Sequence, residues 1–159
     1  MAAGATAMVA CQEAKAQENV EDITAVQQKF EWDYSFGFWG VAPRPEDIAQ
    51  WKEMAEFVSL FPNDTFLVVG HTDGRAGRGS LSYNEKLSQK RAEYIRSLLV
   101  ERGADPDKVI PVGAAYTEPR IPDAQTESEH EQNRRVTLEF YSKEREMELR
   151  DKVQKEFEK

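Results

Sequence analysis

Hydrophobic and polar residues follow the two-residue period of a strand, or form short apolar runs, in four parts of the chain. Phe30 and Trp32 alternate with charged residues, which predicts a half-buried strand. Val136, Leu138 and Phe140 repeat the same alternation, and residues 66–69 are continuously apolar. We therefore predict strands at residues 29–33, 66–69, 108–116 and 134–141.

Two longer segments carry apolar residues at helical spacing. Pro43-Arg-Pro-Glu-Asp47 predicts the start of a helix that runs to about Phe61, with Ile48, Trp51, Ala55 and Val58 on its inner face. Residues 82–102 place Leu87, Ile95, Leu98 and Leu99 on one face of a second helix. The predicted order is β-α-β-α-β-β, an α+β sandwich in which the helices cover one face of a four-stranded mixed sheet.

The remaining segments are more polar. Residues 74–79 predict a flexible glycine-rich loop, and residues 119–131 predict a polar loop with two prolines. Residues 143–159 predict a separate charged helix with a thin apolar stripe of Leu149, Val153 and Phe157. This helix could dock on the domain or serve a protein partner, and its charge favours a solvated terminal helix.

Composition excludes several classes of protein. The chain has 159 residues, of which 40% are hydrophobic and 31% charged, which is typical of one globular domain with tails. The net charge is −8, and no Lys/Arg cluster is interleaved with aromatic residues, so nucleic acid is not an expected partner. No apolar run reaches about 18 residues, so the sequence predicts no membrane-spanning helix.

The single cysteine, Cys11, ends a segment of small and apolar residues. Residues 1–11 resemble the tail of a bacterial lipoprotein signal with Val9-Ala10-Cys11 as its lipobox, although the cationic start is lacking. In this interpretation Cys11 carries lipid, Gln12 resembles the context for outer-membrane sorting, and residues 12–27 form a flexible tether. The alternative is a simple alanine-rich N-terminal segment.

Arg91 lies in the middle of the apolar face of the second helix, almost directly below Asn84. A guanidinium stays charged on burial, so it needs an anion or a set of acceptors. Asp73, at the end of the apolar run that starts at Phe66, is the nearest upstream carboxylate that could provide this anion. Arg134 shares strand parity with Val136 and is therefore predicted on the helix-facing side of the sheet, beside Arg91. Arg135 points the other way and is predicted as a surface charge. These residues either form a structural salt bridge or bind a zwitterionic ligand, and two adjacent arginines favour the ligand.

Three motifs carry a resemblance to a known family. They are Gly70-His-Thr-Asp73, Asn84-Glu-Lys-Leu-Ser-Gln-Lys-Arg-Ala92 and Asn133-Arg-Arg-Val136. In this order they resemble the OmpA-like peptidoglycan-binding domain, over about residues 28–142.

The resemblance implies a non-catalytic anchor to the cell wall that needs no cofactor or metal. It implies that Asp73 accepts from the ammonium of diaminopimelate in a peptidoglycan stem peptide, and that Arg91 binds its carboxylate. Asn84 and Arg134 would line the same pocket. The implied location is the periplasmic face of the outer membrane in a Gram-negative envelope.

The chain also departs from the family pattern. Loop 74–83 is longer than usual and carries Arg75 and Arg78, so it could cover the pocket as a rim or displace Asp73. Residues 30–45 match poorly, and the aromatic residues at 36, 38 and 39 are expected to pack in the core. These departures motivate an alternative function, an envelope assembly protein that uses the fold and helix 143–159 for protein contacts without wall binding.

Histidines offer no clear enzyme site. His71 lies on an apolar strand and is expected to be structural, while Thr72 is expected to make a local hydrogen bond. His71, Asp73 and His130 are the residues that could form a three-ligand zinc site, but their spacing follows no metal motif. We therefore do not expect a hydrolase.

Overall fold

The computed structural model describes residues 29–32 and 40–159. Cys11, the predicted tether 12–27 and the aromatic residues at 36, 38 and 39 lie outside the described residues. The helices are α1 (Ile48–Ser59), α2 (Leu81–Glu101), α3 (Glu127–Asn133) and α4 (Lys143–Phe157). The strands are β1 (Lys29–Trp32), β2 (Phe66–Gly70), β3 (Val109–Gly113) and β4 (Val136–Phe140).

The sheet has the order β1-β4-β2-β3. β2 runs parallel to β3 and antiparallel to β4, and β1 pairs antiparallel with β4 at the edge. The predicted α+β class and mixed sheet are confirmed. In the part of the chain that the structure describes, no helix combines the length and the apolar character needed to cross a bilayer.

Helices α1 and α2 cover one face of the sheet, as predicted. Side chains from both helices form one buried cluster with Phe66 and Val68 of β2 and Leu138 of β4. The helix residues of this cluster are Trp51, Met54, Ala55, Val58, Ala92, Ile95 and Leu99. The amphipathic spacing therefore identified the core-facing side of both helices correctly.

Two glycines allow α2 to lie unusually close to the sheet. Gly70 and Gly113 are paired neighbours on β2 and β3, directly under Ser88. A Cβ on Gly70 would collide with the Ser88 carbonyl, and one on Gly113 would lie 2.6 Å from the backbone N of Gln89. The Ser88 hydroxyl also accepts a 3.0 Å hydrogen bond from the Ala115 backbone N–H. This contact fixes the first half of α2 over the carboxyl ends of the two strands.

The opposite face of the sheet is covered by α4. Leu149 is fully buried and packs with Leu67, Val69 and Val112, and Val153 is also buried. The prediction of a solvated terminal helix was therefore wrong. All five residues of β2 are buried, which is typical of a strand covered on both faces.

Ion pairs reinforce the docking of α4. Both terminal nitrogens of Arg145 donate to the Glu118 carboxylate, at 2.9 and 2.8 Å, and its Nε donates to Glu139 at 3.0 Å. Lys152 donates to Glu118 at 2.7 Å. Glu118, in the segment after β3, thus binds two cations that lie about two turns apart on α4.

The docking of α4 also explains why the prediction for Arg135 was wrong. Arg135 was predicted as a surface charge, yet it is 2% exposed, and its Nη2 donates to the Glu118 carbonyl at 3.0 Å. The strand parity was correct, because Arg135 does point away from α1 and α2. That side of the sheet is closed by α4 and the Glu118 segment, so it is not solvent.

Residues 119–131 also differ from the prediction of a polar loop, because they contain most of α3. Thr126 Oγ1 accepts from the Glu129 backbone N–H, and the Glu129 carboxylate accepts from the Thr126 N–H. This is the capping box that Thr-x-x-Glu encodes at a helix start. The Thr126-x-x-Glu129 spacing predicts this helix start, whereas the two prolines nearby favour a loop.

Replacing Leu149 by alanine should lower the free energy of unfolding by about 2–4 kcal/mol, because it leaves a cavity between α4 and the sheet. Met147 on the same helix is 55% exposed, so M147A should change stability by less than about 0.5 kcal/mol. Urea unfolding followed by circular dichroism measures both. Equal losses for the two variants would show that α4 is not docked.

The pH dependence of stability tests the Glu118 ion pairs. Burial raises the pKa of Glu118, but hydrogen bonds from Arg145 and Lys152 outweigh it and lower the pKa from 4.5 to about 2. The folded state therefore binds fewer protons than the unfolded state, and this stabilisation is complete above pH 4.5 and lost as the pH falls towards 2. E118Q should flatten the acid limb of the stability curve, whereas E144Q, at an exposed position of α4, should leave it steep.

Candidate functional site

The predicted site residues come together at one end of the sheet. Asp73 follows the carboxyl end of β2, and Arg134 precedes the antiparallel strand β4, so both lie at the same end of the sheet. Arg91 projects from α2, and the close contact of α2 with Gly70 and Gly113 holds this helix over the same end of the sheet. The topology therefore brings one acid and two bases together from three separate segments.

Asp73 is a buried carboxylate held by two arginines. Its side chain is 2% exposed, and its Oδ2 accepts from Arg134 Nη1 at 2.8 Å. The same oxygen accepts from Arg75 Nη2 at 2.6 Å and Nε at 3.0 Å, while Oδ1 accepts from the Arg75 backbone N–H at 3.0 Å. The two guanidinium groups offset the cost of burying the negative charge.

Glu127, the first residue of α3, completes a ring of alternating charges. One carboxylate oxygen accepts from Arg134 at 2.7 Å, and the other accepts from Arg75 at 2.9 Å. We call Asp73, Arg75, Glu127 and Arg134 the charge ring. Its inner members, Asp73 and Arg134, are 2% exposed, whereas the Glu127 side chain is 65% exposed. The ring therefore reaches from the interior to solvent.

These contacts keep Asp73 ionised. Burial raises the pKa of its carboxyl group, but hydrogen bonds from Arg75 and Arg134 outweigh burial and lower the pKa below its usual value. The pKa of Glu127 is lowered as well, mainly by its hydrogen bond from Arg134. Both acids are negative at neutral pH.

Arg91 is fully buried, as its position on the apolar face predicted. Its Nε donates to the Gly40 carbonyl at 2.8 Å, and its Nη1 donates to the His71 carbonyl at 3.0 Å. Burial and, to a smaller extent, the charge of Arg134 lower its pKa to about 10, and the charge of Asp73 opposes this shift. No ion pair joins Arg91 to Asp73 directly within residues 40–159, so the pair is not a closed structural salt bridge.

Asn84 braces the long loop that follows Asp73. It is fully buried, and its Nδ2 donates to the carbonyls of Ala76 and Ser80, both at 2.8 Å. Its Oδ1 has no hydrogen-bond partner among the described residues. The N-terminal cap of α2 is provided by Ser80, whose hydroxyl accepts from the Tyr83 N–H. The bracing role is thus observed, and ligand contact by Asn84 stays a prediction.

The loop folds back onto the site instead of extending into solvent. Gly74, Gly77 and Gly79 all have positive φ, between 59° and 82°, which glycine adopts without strain. These turns bury Ala76 and direct Arg75 onto Asp73. Of the two outcomes foreseen for the longer loop, the structure shows the rim.

A cleft of about 440 Å³ adjoins the charge ring on the side of β3 and α3. Its walls include Thr72, Arg75, Tyr116, Ile121 and His130. The Thr72 hydroxyl and His130 Nδ1 are buried without a hydrogen-bond partner among the described residues. The expected local hydrogen bond of the Thr72 hydroxyl is therefore not made. No sequence pattern predicts this cleft, because its walls come from three distant segments.

His71 fits the structural role predicted for it. The side chain is buried, and Nε2 lies 3.1 Å from the Thr137 hydroxyl on the neighbouring strand. Within residues 29–32 and 40–159, no three histidine, cysteine, aspartate or glutamate residues are arranged to hold a metal ion.

Comparison with known proteins identifies the family. A model of the OmpA family matches residues 44–134, which lie within the predicted domain and contain all four predicted ligand residues. The chain belongs to the OmpA family. The matched segment begins at Arg44, near the end of the poorly matching residues 30–45.

OmpA-family relatives include outer membrane porins and lipoproteins. The chain is 34% identical over 108 residues to outer membrane porin F of Pseudomonas fluorescens, covering 68% of this chain and 32% of the porin. It is 28% identical over 118 residues to the peptidoglycan-associated lipoprotein of Haemophilus influenzae, covering 74% of each. The chain thus spans about a third of the length of the porin.

Solved structures show the same OmpA-like fold. The peptidoglycan-associated lipoprotein of Burkholderia pseudomallei superposes with a TM-score of 0.60 at 28% identity, covering 68% of this chain and 88% of the other. The cell wall anchor of the T6SS from Pseudomonas aeruginosa gives a TM-score of 0.58 at 27% identity, covering 72% and 80%.

Stability measurements test the unequal roles of the two arginines on Asp73. R134Q should cost about 2–4 kcal/mol, because it removes the buried partner of a buried carboxylate. R75Q should cost less than about 1 kcal/mol, since the Arg75 side chain is 35% exposed and water screens its ion pairs. Urea unfolding of both variants checks this order. A larger loss for R75Q would contradict the described geometry.

Proposed function

We propose that this OmpA-family chain binds peptidoglycan without catalysis and anchors the outer membrane, or an envelope complex, to the cell wall. The ligand is the diaminopimelate side chain of a stem peptide. Asp73 accepts from its ammonium group, Arg91 binds its carboxylate, and Asn84 and Arg134 line the pocket.

The observation that carries the proposal is the pairing of opposite charges without a direct bond. Arg91 Nη1 donates to the carbonyl of His71, two residues before Asp73, yet within the described residues no ion pair joins Arg91 to Asp73 directly. A free amino acid end carries one ammonium and one carboxylate at a fixed separation. Two opposite charges mounted on rigid elements match such a ligand, and a guanidinium adds directional contacts to its carboxylate.

The relatives support the choice of ligand. Two of the similar proteins are named peptidoglycan-associated lipoproteins, and another is named a cell wall anchor. Each is similar to this chain over two thirds or more of its own length. Wall association is therefore a better hypothesis for this chain than the function of a porin, of which the chain covers only 32%.

The predicted lipid on Cys11 and tether 12–27 complete the proposal. A lipid in the outer membrane would restrict the domain to the space near the wall, where stem peptides repeat at high density. Restriction raises the effective concentration of the ligand, so a weak individual site can still give firm attachment.

The alternative function, protein contacts through the C-terminal helix, receives less support. Leu149 is buried against the sheet and Val153 is also buried, so two of the three residues of the apolar stripe are used within the domain, whereas Phe157 is 48% exposed.

Binding to purified sacculi tests the proposal. D73N and R91K should each reduce retention on diaminopimelate-containing sacculi, and weaken binding of a soluble diaminopimelate muropeptide, by about tenfold or more. D73N removes the charge of the acceptor, and R91K removes the bidentate geometry of the guanidinium. Sedimentation and calorimetry measure the two effects. K90Q, on the exposed side of the same helix, should bind like the wild type.

Sacculi in which lysine replaces diaminopimelate serve as the matched ligand control, because lysine lacks the second carboxylate. Weaker retention on these sacculi is the expected result. Full binding by both site variants would refute the assigned residues, and absence of binding by the folded wild type would refute the function.

A further inference from the structure

Arg75 occupies the carboxylate that the ligand's ammonium needs. A carboxylate offers about four lone-pair positions, and Asp73 accepts four N–H contacts. Three of the four come from Arg75, two from its guanidinium and one from its backbone. Oδ2 accepts three of the four contacts and Oδ1 accepts one, and the Asp73 side chain is 2% exposed, so an ammonium that reaches Oδ2 has to replace a donor that is already present.

The guanidinium of Arg75 is the donor best able to leave. Arg134 is 2% exposed, whereas the Arg75 side chain is 35% exposed and lies on a loop with three glycines at positive φ. Arg75 also has a second acceptor in place, because its Nη2 lies 2.9 Å from Glu127 and 2.6 Å from Asp73. It can give up Asp73 and keep an anionic partner.

We infer that Arg75 is a built-in competitor of the ligand: its guanidinium holds Asp73 until a ligand ammonium displaces it onto Glu127. This inference rests on the proposed function, since it takes Asp73 as the acceptor of the ammonium. Arg75 then determines specificity, because only a ligand with a correctly placed cation can replace one cation by another on a buried carboxylate. A neutral ligand would leave Asp73 bound to Arg75.

Calorimetric titration with a diaminopimelate muropeptide tests the inference. R75Q should bind about fivefold more tightly than the wild type, the effect expected from losing one partly exposed charge-assisted contact. R78Q removes the same charge from the same loop at an exposed position and should leave the affinity unchanged. A muropeptide acetylated on the diaminopimelate amine should show no gain with R75Q.

A double-mutant cycle tests the role of Glu127. E127Q should weaken binding severalfold in the wild-type background, because Arg75 loses the acceptor to which it moves. In the R75Q background the same substitution should have no such effect, and this difference isolates the coupling between the two residues. Thermal unfolding of each variant confirms that the titrated protein is folded.

The outcomes separate this inference from the proposed function. If the wild type binds, D73N does not, and R75Q binds equally or more weakly, the function stands and the competitor role is overturned. A gain for R78Q equal to that for R75Q would also overturn it, since the effect would then be one of general charge. If neither the wild type nor R75Q binds the muropeptide, both the function and the inference fail.

Discussion

Three arginines meet at one end of the sheet, and the arrangement of the site follows from the need to neutralise them. Arg91 and Arg134 are buried, and neither guanidinium can lose its proton at neutral pH. Arg91 donates to backbone carbonyls, whereas Arg134 and Arg75 share the carboxylates of Asp73 and Glu127. These ion pairs hold three segments in place: the loop after β2, the start of α3 and the residues just before β4.

Under the proposed function, the same interactions prepare Asp73 to bind the ammonium group of the ligand. A carboxylate that is buried and kept ionised offers a strong acceptor in a region where water screens poorly. Its arginine partners also limit what can approach, because any ligand group must compete with a cation already in contact. Under the proposed function, affinity at Asp73 depends on the exchange of one cation for another rather than on filling a free acceptor.

The second face of the sheet shows how a highly charged helix becomes part of a core. Only a few residues of α4 are apolar, yet Leu149 fills the space over Leu67, Val69 and Val112. Glu118 then orients the helix through Arg145 and Lys152, and the same cover buries Arg135. A narrow apolar stripe is sufficient here because ion pairs with defined partners surround it.

The sequence by itself determined the α+β class, the inner faces of α1 and α2, and the meeting of Asp73, Arg91 and Arg134. The class and the inner faces depend on local periodicity, whereas the meeting of the three residues, which lie on separate segments, was predicted from motifs that resemble a known family. Only the tertiary structure decided that α4 docks, that Arg135 is buried, and that Glu127 and Arg75 close a ring around Asp73. Each of these depends on contacts between segments far apart in the chain, and charge patterns along a segment do not specify which distant group will neutralise them.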